Sequence, residues 1–446
     1  MLQRPYGTED VTPKNINKWH FIENKIKETV NAFGFKEIRV PTFETPELFE
    51  RSVGETTDVV QKEMYKVTAK NNSDNKGNEF TLRPEGTAGV IRAMIQNGML
   101  NDALPQKVCY FVSCFRHERP QAGRLREFHQ FGVELAGSAS ALSDAEVISL
   151  ADEIIFNLQI EKVKLYINSI GCKECRKDYQ KALVEYFSVY SDKLCSTCNE
   201  RLEKNPMRLL DCKSPVCKDI AEKAPIILDY LCNDCKEHFE ELKQHLDILH
   251  IKYTVNPKIV RGLDYYTRTV FEFVSENIGS QGTICGGGRY DGLIEELGGK
   301  SFPALGFGMG LERLIMVLEN QKLLFPPLPT PEVYIANMGN NSLPKVIELT
   351  QRLRQTSHSA ECDLMGRSLN AQLKYANKTG AKFIIIIGDN ELETNTAKLK
   401  NLEIEKDKRY EIELGDNFIR DFERYTDSCL KSINELAQRL GFSLED

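Results

Sequence analysis

The sequence of 446 residues lacks any stretch suited to entering or crossing a membrane. Residues 1–18 are polar and contain no apolar segment of the kind that a secretion signal needs. The longest aliphatic run, Phe383–Ile387, is far too short to span a bilayer and is typical of one buried strand. Internal repeats and low-complexity tracts are also missing. We therefore expect a cytoplasmic protein of roughly two to four domains.

The chain also lacks an excess of positive charge. It contains 58 lysines and arginines against 65 aspartates and glutamates, which gives a net charge of −7. A protein that binds nucleic acid through bulk charge alone is basic, so this balance argues against a general DNA or RNA coat. A local basic groove remains compatible with it, because binding depends on the charged patch and not on the sum.

Residues 111–135 predict two antiparallel strands joined by a basic loop. Residues two apart on a strand share a face, so Phe131, Val133 and Leu135 should lie together in the core. The opposite face carries an unusual mixture of cations, carboxylates, an amide and an aromatic ring, contributed by Arg116, Glu118, Arg126, Phe128, Gln130, Gly132 and Glu134. A solvated face with salt bridges is the alternative interpretation. It does not explain Gly132, which weakens a strand.

Apolar periodicity predicts the elements around this hairpin. We expect a helix at Asn15–Phe33, strands at Lys36–Val40, Lys258–Arg261 and Thr269–Ser275, a glycine-rich turn at Gly286–Gly292, and a strand entering a helix at Ala304–Glu319. A proline-rich linker follows at Phe325–Pro331. Beyond it, strands alternate with helices as in a parallel α/β domain, at Glu332–Ala336, Leu343–Thr356, Ser359–Leu364, Leu369–Lys378 and Lys382–Ile387.

These motifs resemble those of the class II aminoacyl-tRNA synthetases. The hairpin is similar to their motif 2, Ala304–Glu319 to motif 3, and the first helix, strand and Pro41 to motif 1. Arg261–Thr267 resembles the signature of histidyl-tRNA synthetases, and Gly287–Gly292 resembles its companion. The resemblance covers nearly the whole chain. It implies an α+β fold: an antiparallel six-stranded sheet flanked by helices, a helical insertion and a C-terminal α/β anticodon-binding domain.

Adenylate formation requires a carboxylate to attack the α-phosphate of ATP in line, so the site must neutralise charge that moves toward pyrophosphate. Arginine suits this task because it is always charged and can bind two oxygens. The resemblance implies that Arg116 binds the α-phosphate and that Arg261 occupies the position where related enzymes use a metal ion. Both arginines are therefore expected to be catalytic. The implied site for ATP with Mg²⁺ consists of Arg116, Glu118, Arg124, Phe128 and Arg313.

Selection of histidine needs an acceptor and a donor, because a neutral imidazole offers one N–H and one lone pair. The resemblance assigns ring recognition to Glu134 and Tyr266. The remaining implied histidine-binding residues are Glu85, Thr87, Arg116, Gln130, Arg261 and Tyr290. Tyr265 is interpreted as a core residue. Gly306, Gly308 and Gly310 either let ATP approach the backbone or allow tight strand–helix packing, and the two interpretations are compatible.

Eight of the 13 cysteines lie between Cys172 and Cys235. Their spacing is that of zinc knuckles, in the pairs Cys172 and Cys175, Cys195 and Cys198, Cys212 and Cys217, and Cys232 and Cys235. The outer pairs should meet at the base of the insertion, and the inner pairs should form a second site. The alternative is a set of reduced thiols without metal, since many members of the family lack these cysteines. Because the active site lies on a separate sheet, we expect adenylate formation to survive removal of zinc.

The resemblance implies a homodimeric histidine–tRNA ligase. Such an enzyme makes histidyl-adenylate from histidine and ATP, and then transfers histidine to the 3′ end of tRNA(His). The expected segments are a first part of the catalytic core (1–170), the cysteine-rich insertion (171–253), a second part of the core (254–325) and an anticodon-binding domain (332–446). In that domain Arg367, Lys374 and Lys378 form either a phosphate-binding strip or a solvated helix face.

Two other functions compete with this one. A synthetase-like regulatory subunit of histidine biosynthesis usually lacks the anticodon-binding domain and loses active-site residues. Here residues 332–446 are present, and Arg116, Arg261 and Arg313 are all in place. A class II synthetase for threonine or proline is disfavoured by the segment from Arg261 to Tyr266.

Overall fold

A computed structural model of the chain describes residues 2–54, 57–68, 79–212, 214–402 and 409–427. The chain divides into two units, residues 1–326 and 327–446, and the division falls inside the proline-rich segment Phe325–Pro331. Among the described residues, no helix is both long and apolar enough to cross a bilayer.

The helices of the first unit are α1 (Ile16–Ala32), α2 (Pro46–Val53), α3 (Thr87–Gln96), α4 (Ala141–Asn157), α5 (Lys173–Ser188), α6 (Ser196–Lys204), α7 (Pro215–Ala221), α8 (Asn233–Ile248), α9 (Leu293–Glu296) and α10 (Leu311–Asn320). Its strands are β1 (Lys36–Glu37), β2 (Phe43–Glu44), β3 (Lys66–Val67), β4 (Phe80–Leu82), β5 (Gln106–Phe115), β6 (Glu127–Ala136), β7 (Val163–Ser169), β8 (Tyr253–Val255), β9 (Thr267–Ser275), β10 (Thr283–Arg289) and β11 (Ala304–Gly310).

The main sheet of this unit has the strand order β1-β5-β6-β11-β10-β9-β7-β8. The six strands from β5 to β7 are antiparallel, as the sequence predicts. The two edge strands, β1 and β8, each pair in parallel with their neighbour and extend the sheet beyond the six expected strands; the sequence predicted a strand at β1 but none at β8. The first edge strand is also shorter than expected and covers only Lys36–Glu37 of the predicted Lys36–Val40. Strands β2, β4 and β3 form a small separate sheet.

The hairpin formed by β5 and β6 has the buried face that its alternation predicts, but Arg116, Glu118 and Arg126, expected on the strands, lie in the loop between them. Phe131, Val133 and Leu135 are buried in the main core, against residues of α1, α4 and α10. On α1 the buried residues Ile22, Ile26 and Val30 recur every four positions, which produces one apolar stripe toward the sheet. The other face of the hairpin is therefore left for the polar residues.

The cysteine-rich insertion leaves the main sheet and returns to it at the same edge. It begins after β7 and ends at β8, and these two strands pair in parallel, with Leu165 opposite Tyr253. A parallel pair needs a crossover connection, which the helices α5 to α8 provide. The insertion has its own apolar cluster, to which Tyr179, Leu183 and Phe187 contribute together with most of its cysteines.

The structure corrects two local predictions. The segment Lys258–Arg261 is a loop and not a strand. Pro257 has no N–H to donate, and the side chain of Asn168 donates to the carbonyls of Pro257 and Ile259 (both 3.2 Å) in place of a neighbouring strand. The other error concerns Gly286–Gly292, because residues 286–289 belong to the central strand β10 and only the remainder is a turn.

The second unit is a mixed α/β structure. Strands β12 (Val333–Asn337), β13 (Ala360–Cys362) and β14 (Phe383–Ile387) are parallel, as expected, and alternate with helices α11 (Leu343–Gln355) and α12 (Leu369–Thr379). The sequence did not predict the antiparallel extension by β15 (Thr396–Asn401) and β16 (Arg409–Glu413), nor the short helix α13 (Asp389–Thr394). Residues 418–427 are helical and bury Phe418 and Phe422 in the core of this unit.

A buried charge network joins three parts of the first unit. Asp144 on α4 accepts hydrogen bonds from Arg289 on β10, from Thr269 on β9 (2.7 Å) and from His238 on α8 of the insertion (2.6 Å). Asp144 and Arg289 have no exposed surface. Burial raises the pKa of Asp144, but Arg289 and His238 outweigh burial and hold this pKa below its usual value.

We predict that Asp144→Ala lowers the free energy of unfolding by about 3–5 kcal/mol, because it removes the buried carboxylate that pairs with Arg289 and leaves that guanidinium with only the partly exposed Asp291 (3.1 Å) as a described carboxylate partner. Urea unfolding followed by far-UV circular dichroism measures this loss. Glu153→Ala, an exposed position on the same helix, is the matched control and should change stability little. Equal effects of the two substitutions would contradict the network.

Candidate functional site

The polar face of the main sheet opens into a cavity of about 270 Å³. Every residue that the sequence assigns to ATP or histidine lines this cavity except Glu134; these lining residues are Glu85, Thr87, Arg116, Glu118, Arg124, Phe128, Gln130, Arg261, Tyr266, Tyr290 and Arg313. They come from the start of α3, the loop between β5 and β6, β6 itself, the loop before β9, the position after β10 and the start of α10. The fold thus gathers residues that lie far apart in sequence.

The floor of the cavity is a row of glycines. Gly132 on β6 pairs with Gly308 on β11, which pairs in turn with Gly286 on β10. A Cβ atom at any of the three would collide with a side chain that crosses the floor: Tyr110 at Gly132, Gln130 at Gly308 and Arg261 at Gly286. Glycine inside a strand marks such a close approach.

Three arginines gather at one end of the cavity. Burial and the nearby charges of Arg124 and Arg116 lower the pKa of Arg313. The Nε of Arg313 donates to the carbonyl of Gly123 (3.0 Å), and its Nη1 donates to that of Thr283 (2.7 Å). The guanidinium of Arg124 contacts the carboxylate of Glu118. This end of the cavity is suited to a polyanion, because its cations repel one another.

Arg116 lies against the ring that the sequence assigns to adenine. Its Cζ is 5.3 Å from the ring centroid of Phe128, and its Nε donates to the carbonyl of Pro84 (2.9 Å). This distance is that of a cation–π contact. Arg313, which the sequence assigns to the other face of adenine, lines the same cavity.

Arg261 is held by a partner that sequence reasoning missed. Its Nη1 contacts the carboxylate of Glu272 on β9, and its Cζ is 5.8 Å from the ring centroid of Tyr266. Its buried Nε has no hydrogen-bond partner among the described residues. The expectation that Arg261 enters from a strand is wrong, since the residue belongs to the loop before β9.

Glu134 lies behind the cavity wall and not on it. It has no exposed surface, and its carboxylate accepts hydrogen bonds from the hydroxyls of Tyr110 (2.8 Å) and Tyr290. Burial raises the pKa of Glu134 to about 8, although the hydrogen bonds from Tyr290 and Tyr110 act in the opposite direction. A Cβ at Gly306 would collide with this carboxylate, so only a glycine separates Glu134 from the cavity. The sequence did not indicate a role for Tyr110, because this residue belongs to none of the recognised motifs.

Glu85 is both a helix cap and part of the cavity wall. Its carboxylate oxygens accept the backbone N–H groups of Thr87 (2.7 Å) and Ala88 (2.8 Å) at the start of α3. Burial raises the pKa of Glu85 despite these hydrogen bonds. The hydroxyl of Thr87 lies 3.5 Å from that of Tyr110, which extends the polar end of the cavity.

The tyrosines of the signature segment are packed together. The rings of Tyr265 and Tyr266 are 4.6 Å apart, and Tyr265 contacts Tyr290 edge to face at 5.4 Å. Tyr265 is buried in an apolar cluster, as expected, but it also lines the cavity, which the sequence did not indicate. Tyr266 belongs to the loop before β9, because that strand begins only at Thr267.

The eight cysteines of the insertion form two clusters with the grouping that the sequence predicts. One consists of Cys172, Cys175, Cys232 and Cys235, and the other of Cys195, Cys198, Cys212 and Cys217. Within each, the sulfur atoms lie within 4.8 Å of one another. Burial opposes ionisation of Cys172, but backbone N–H groups of Cys175 and Glu174 outweigh it and lower its pKa to about 7. Both clusters can offer thiolates to a soft metal ion.

The basic residues of the second unit do not form the strip expected on one helix. Arg367 precedes α12, and its Nη1 pairs with Asp363 (2.9 Å) while its Cζ lies 4.5 Å from the ring centroid of Tyr375. Lys374 and Lys378 are exposed on α12 itself. Only these two lysines share a helix.

Comparison with known proteins agrees with this geometry. A family model described as histidyl-tRNA synthetase matches residues 7–175 and 199–314, and one described as anticodon binding domain matches residues 332–420. A histidine–tRNA ligase from Acetivibrio thermocellus is 50% identical over 413 residues, which cover 93% of this chain and 98% of that protein. One from Clostridium novyi is 52% identical over 402 residues, covering 90% and 94% of the two chains.

Solved structures give the same result. The crystal structure of apo histidyl-tRNA synthetase from S. aureus is 36% identical, with a TM-score of 0.79, and the match covers 94% of this chain and 99% of that one. A Bacillus halodurans structure described as an ATP phosphoribosyltransferase regulatory subunit/histidyl-tRNA synthetase has a TM-score of 0.61 at 21% identity, and so shares the fold alone. The chain belongs to the histidyl-tRNA synthetase family, and the reaction it catalyses is the ATP-dependent ligation of histidine to tRNA.

Proposed function

We propose that the cavity binds ATP with Mg²⁺ at its arginine-rich end and histidine at its tyrosine-rich end. The observation that carries this proposal is the mutual repulsion of Arg116, Arg124 and Arg313 around one space. A triphosphate relieves that repulsion, whereas a neutral ligand leaves it uncompensated. ATP lies close to the backbone where Gly308 and Gly310 line the cavity.

The first step joins the two substrates. An oxygen of the histidine carboxylate attacks the α-phosphorus of ATP, the bond from that phosphorus to the bridging oxygen breaks, and pyrophosphate leaves. We assign Arg116 to the α-phosphate and the attacking carboxylate. Arg261 stabilises the charge that develops on the phosphoryl oxygens, and its unpartnered Nε supports this role, because it is a donor available to a ligand.

The adenine ring occupies the space between Phe128 and Arg313 in this proposal. Arg116 now lies over Phe128, so it must give up that ring to the base and turn to the phosphate. The carboxylate of Glu118 accepts a hydrogen bond from the adenine amino group. Arg124, which contacts Glu118 in this structure, binds the γ-phosphate instead. Each exchange costs little free energy, because a guanidinium group binds aromatic rings, carboxylates and phosphates alike.

Histidine lies at the other end, with its imidazole against Tyr266 and Tyr290. We propose that Glu134 accepts the imidazole N–H past Gly306, in competition with the hydroxyl of Tyr290. Glu85, Thr87 and Gln130 bind the α-ammonium group. A pocket of this kind rejects amino acids that would leave its buried polar groups unpaired.

In the second step a ribose hydroxyl at the 3′ end of tRNA(His) attacks the carbonyl of the adenylate and releases AMP. We propose that residues 332–446 bind the anticodon, with Lys374 and Lys378 contacting phosphates, and that residues 1–170 and 254–325 form the catalytic core around the insertion 171–253. The chain works as a cytoplasmic homodimer in this proposal. Two features support a self-association surface: the edge strand β1, which pairs with β5 alone among the described strands, and the exposed Phe43 on β2.

We also propose structural zinc as a cofactor of the insertion. Four thiols per cluster match the ligand number of a closed zinc site. Zinc suits a structural site of this kind, because it is redox-inactive and binds thiolates tightly.

We predict that Arg261→Ala slows histidine-dependent exchange between pyrophosphate and ATP by roughly 10²-fold or more, because it removes a charge partner of the transition state. Transfer from preformed adenylate to tRNA should decrease less. Lys258→Ala, an exposed cation in the same loop, is the control and should exchange normally. Normal exchange in Arg261→Ala would refute its catalytic role.

We predict that Glu134→Gln, measured above pH 8 where Glu134 is ionised, raises KM for histidine roughly tenfold or more, since it removes a charge-assisted hydrogen bond worth about 1.5–3 kcal/mol. KM for ATP should stay close to that of the unsubstituted protein. Steady-state exchange with each substrate varied in turn measures both constants. If the two rise together, Glu134 supports the whole cavity and does not read the imidazole.

Glu134 should also make stability depend on pH. Its pKa is about 8 in the folded chain and has its ordinary value when unfolded, so the folded state holds a proton that the unfolded state has released. Stability should therefore fall as pH rises from about 5 to about 8. Tm should fall less steeply over this range in Glu134→Gln, and parallel curves would show that Glu134 ionises normally.

A further inference from the structure

The loop that carries Arg261 and Tyr266 is held from outside the main sheet. Residues 258–266 belong to no strand, and several of their polar groups contact the insertion. Arg208 donates to the carbonyl of Gly262 (3.0 Å) and to the carboxylate of Asp264 (2.7 Å). The insertion thus binds the segment that the proposed function uses for histidine.

Two further donors of the insertion act on the same loop. Arg176 donates from Nη1 to the carbonyl of Tyr266 (3.1 Å), and Asn205 donates from Nδ2 to Asp264 (3.3 Å). On the other side, the backbone N–H of Asp264 donates to the carbonyl of Val53 (3.1 Å). The loop therefore lies between the catalytic core and the insertion.

Each of these donors is adjacent to a cysteine cluster. Arg176 follows Cys175 directly on α5, so the outer cluster fixes the start of its helix. Asn205 and Arg208 lie between Cys198 and Cys212, inside the chain segment that the inner cluster closes. The position of every donor therefore depends on whether its cluster is held together.

The sulfur geometry suits a tetrahedral metal. Sγ atoms are 3.5 Å apart for Cys172 and Cys175, 4.0 Å for Cys172 and Cys232, and 3.9 Å for Cys195 and Cys212. Four sulfurs around zinc at about 2.3 Å are about 3.8 Å from one another. A disulfide needs about 2.05 Å, and the described cysteines are all free.

The backbone supports thiolates at both clusters. Cys172, Cys232 and Cys195 immediately precede α5, α8 and α6, where the positive ends of the helix dipoles lie. The N–H of Cys232 donates to the sulfur of Cys175 (3.1 Å), and the N–H of Cys195 donates to that of Cys217 (3.3 Å). Hydrogen bonds of this kind stabilise metal-bound sulfur.

We propose that two zinc ions hold the insertion in the shape that positions loop 258–266 for histidine, through Arg176, Asn205 and Arg208. Four thiols of each cluster bind one ion and release their protons to solvent. The inference rests on the proposed function, in which Arg261 and Tyr266 bind histidine. It replaces the expectation from the sequence that adenylate formation does not need zinc.

Metal analysis of the full-length protein, purified without chelator, tests the sites. We expect about two zinc ions per chain, and about one in either Cys172→Ser/Cys175→Ser or Cys195→Ser/Cys198→Ser. Treatment with a mercurial reagent should release both ions, and added Zn²⁺ should restore them. Zinc well below one ion per chain, with all eight thiols titratable in the folded protein, would overturn the metal sites.

Two readouts test the positioning. Zinc release should raise KM for histidine roughly tenfold, leave KM for ATP within about twofold, and speed hydrogen exchange in residues 258–266. Arg208→Met should do the same while it retains both zinc ions. Lys181→Met, an exposed lysine on α5, is the matched control and should change neither readout.

The possible failures are distinguishable. If zinc binds but its release changes neither KM for histidine nor exchange in the loop, the positioning role is wrong and the metal is only structural. Equal rises of both KM values would also refute that role. If the unsubstituted protein shows no histidine-dependent pyrophosphate exchange, the proposed function fails, although zinc content and hydrogen exchange still report on the sites.

Discussion

The row of Gly132, Gly308 and Gly286 is the constraint on which the site depends. Three neighbouring strands lack side chains at the same level, so the long side chains from neighbouring positions can lie across the sheet. A single Cβ in this row would displace Tyr110, Gln130 or Arg261. The opposite face keeps its large apolar residues, which pack against three helices and keep the sheet rigid. Close approach on one face and dense packing on the other are therefore properties of the same strands.

The two ends of the cavity differ in how they treat charge. At one end, Arg116, Arg124 and Arg313 stay charged and repel one another, which favours a ligand with several negative charges. At the other end, burial raises the pKa values of Glu85 and Glu134, so the pocket resists carrying unpaired charge. A zwitterionic amino acid with a polar ring suits the second environment, and a nucleotide suits the first. In the proposed arrangement, the reacting carboxylate and phosphate meet at Arg261, which lines the same cavity.

Local sequence patterns predicted the features that depend on strand alternation and on cysteine spacing. The period of two predicted the buried face of the hairpin correctly, although Arg116, Glu118 and Arg126 lie in the loop and not on the strands. The grouping of the cysteines followed from the order of the four pairs along the chain. The errors arose where distant residues decide the outcome. Asn168 turns Lys258–Arg261 into a loop, and close neighbours on both sides make Gly286–Gly288 a strand. Asp144, Tyr110 and Glu272 carry no local signal, because their importance lies in partners far away in sequence.

The location of the insertion explains how a separate module can affect catalysis. It leaves after β7 and returns at β8, and the chain then runs directly into loop 258–266 before it enters β9. The insertion is connected to that loop both through the chain and through the hydrogen bond from Arg208 to Gly262. His238, which pairs with the buried Asp144, fixes the other side of the insertion to the core. A module that is anchored to the core by a buried charge pair, and that the proposed zinc ions would hold together internally, can support a loop that lacks strand partners of its own.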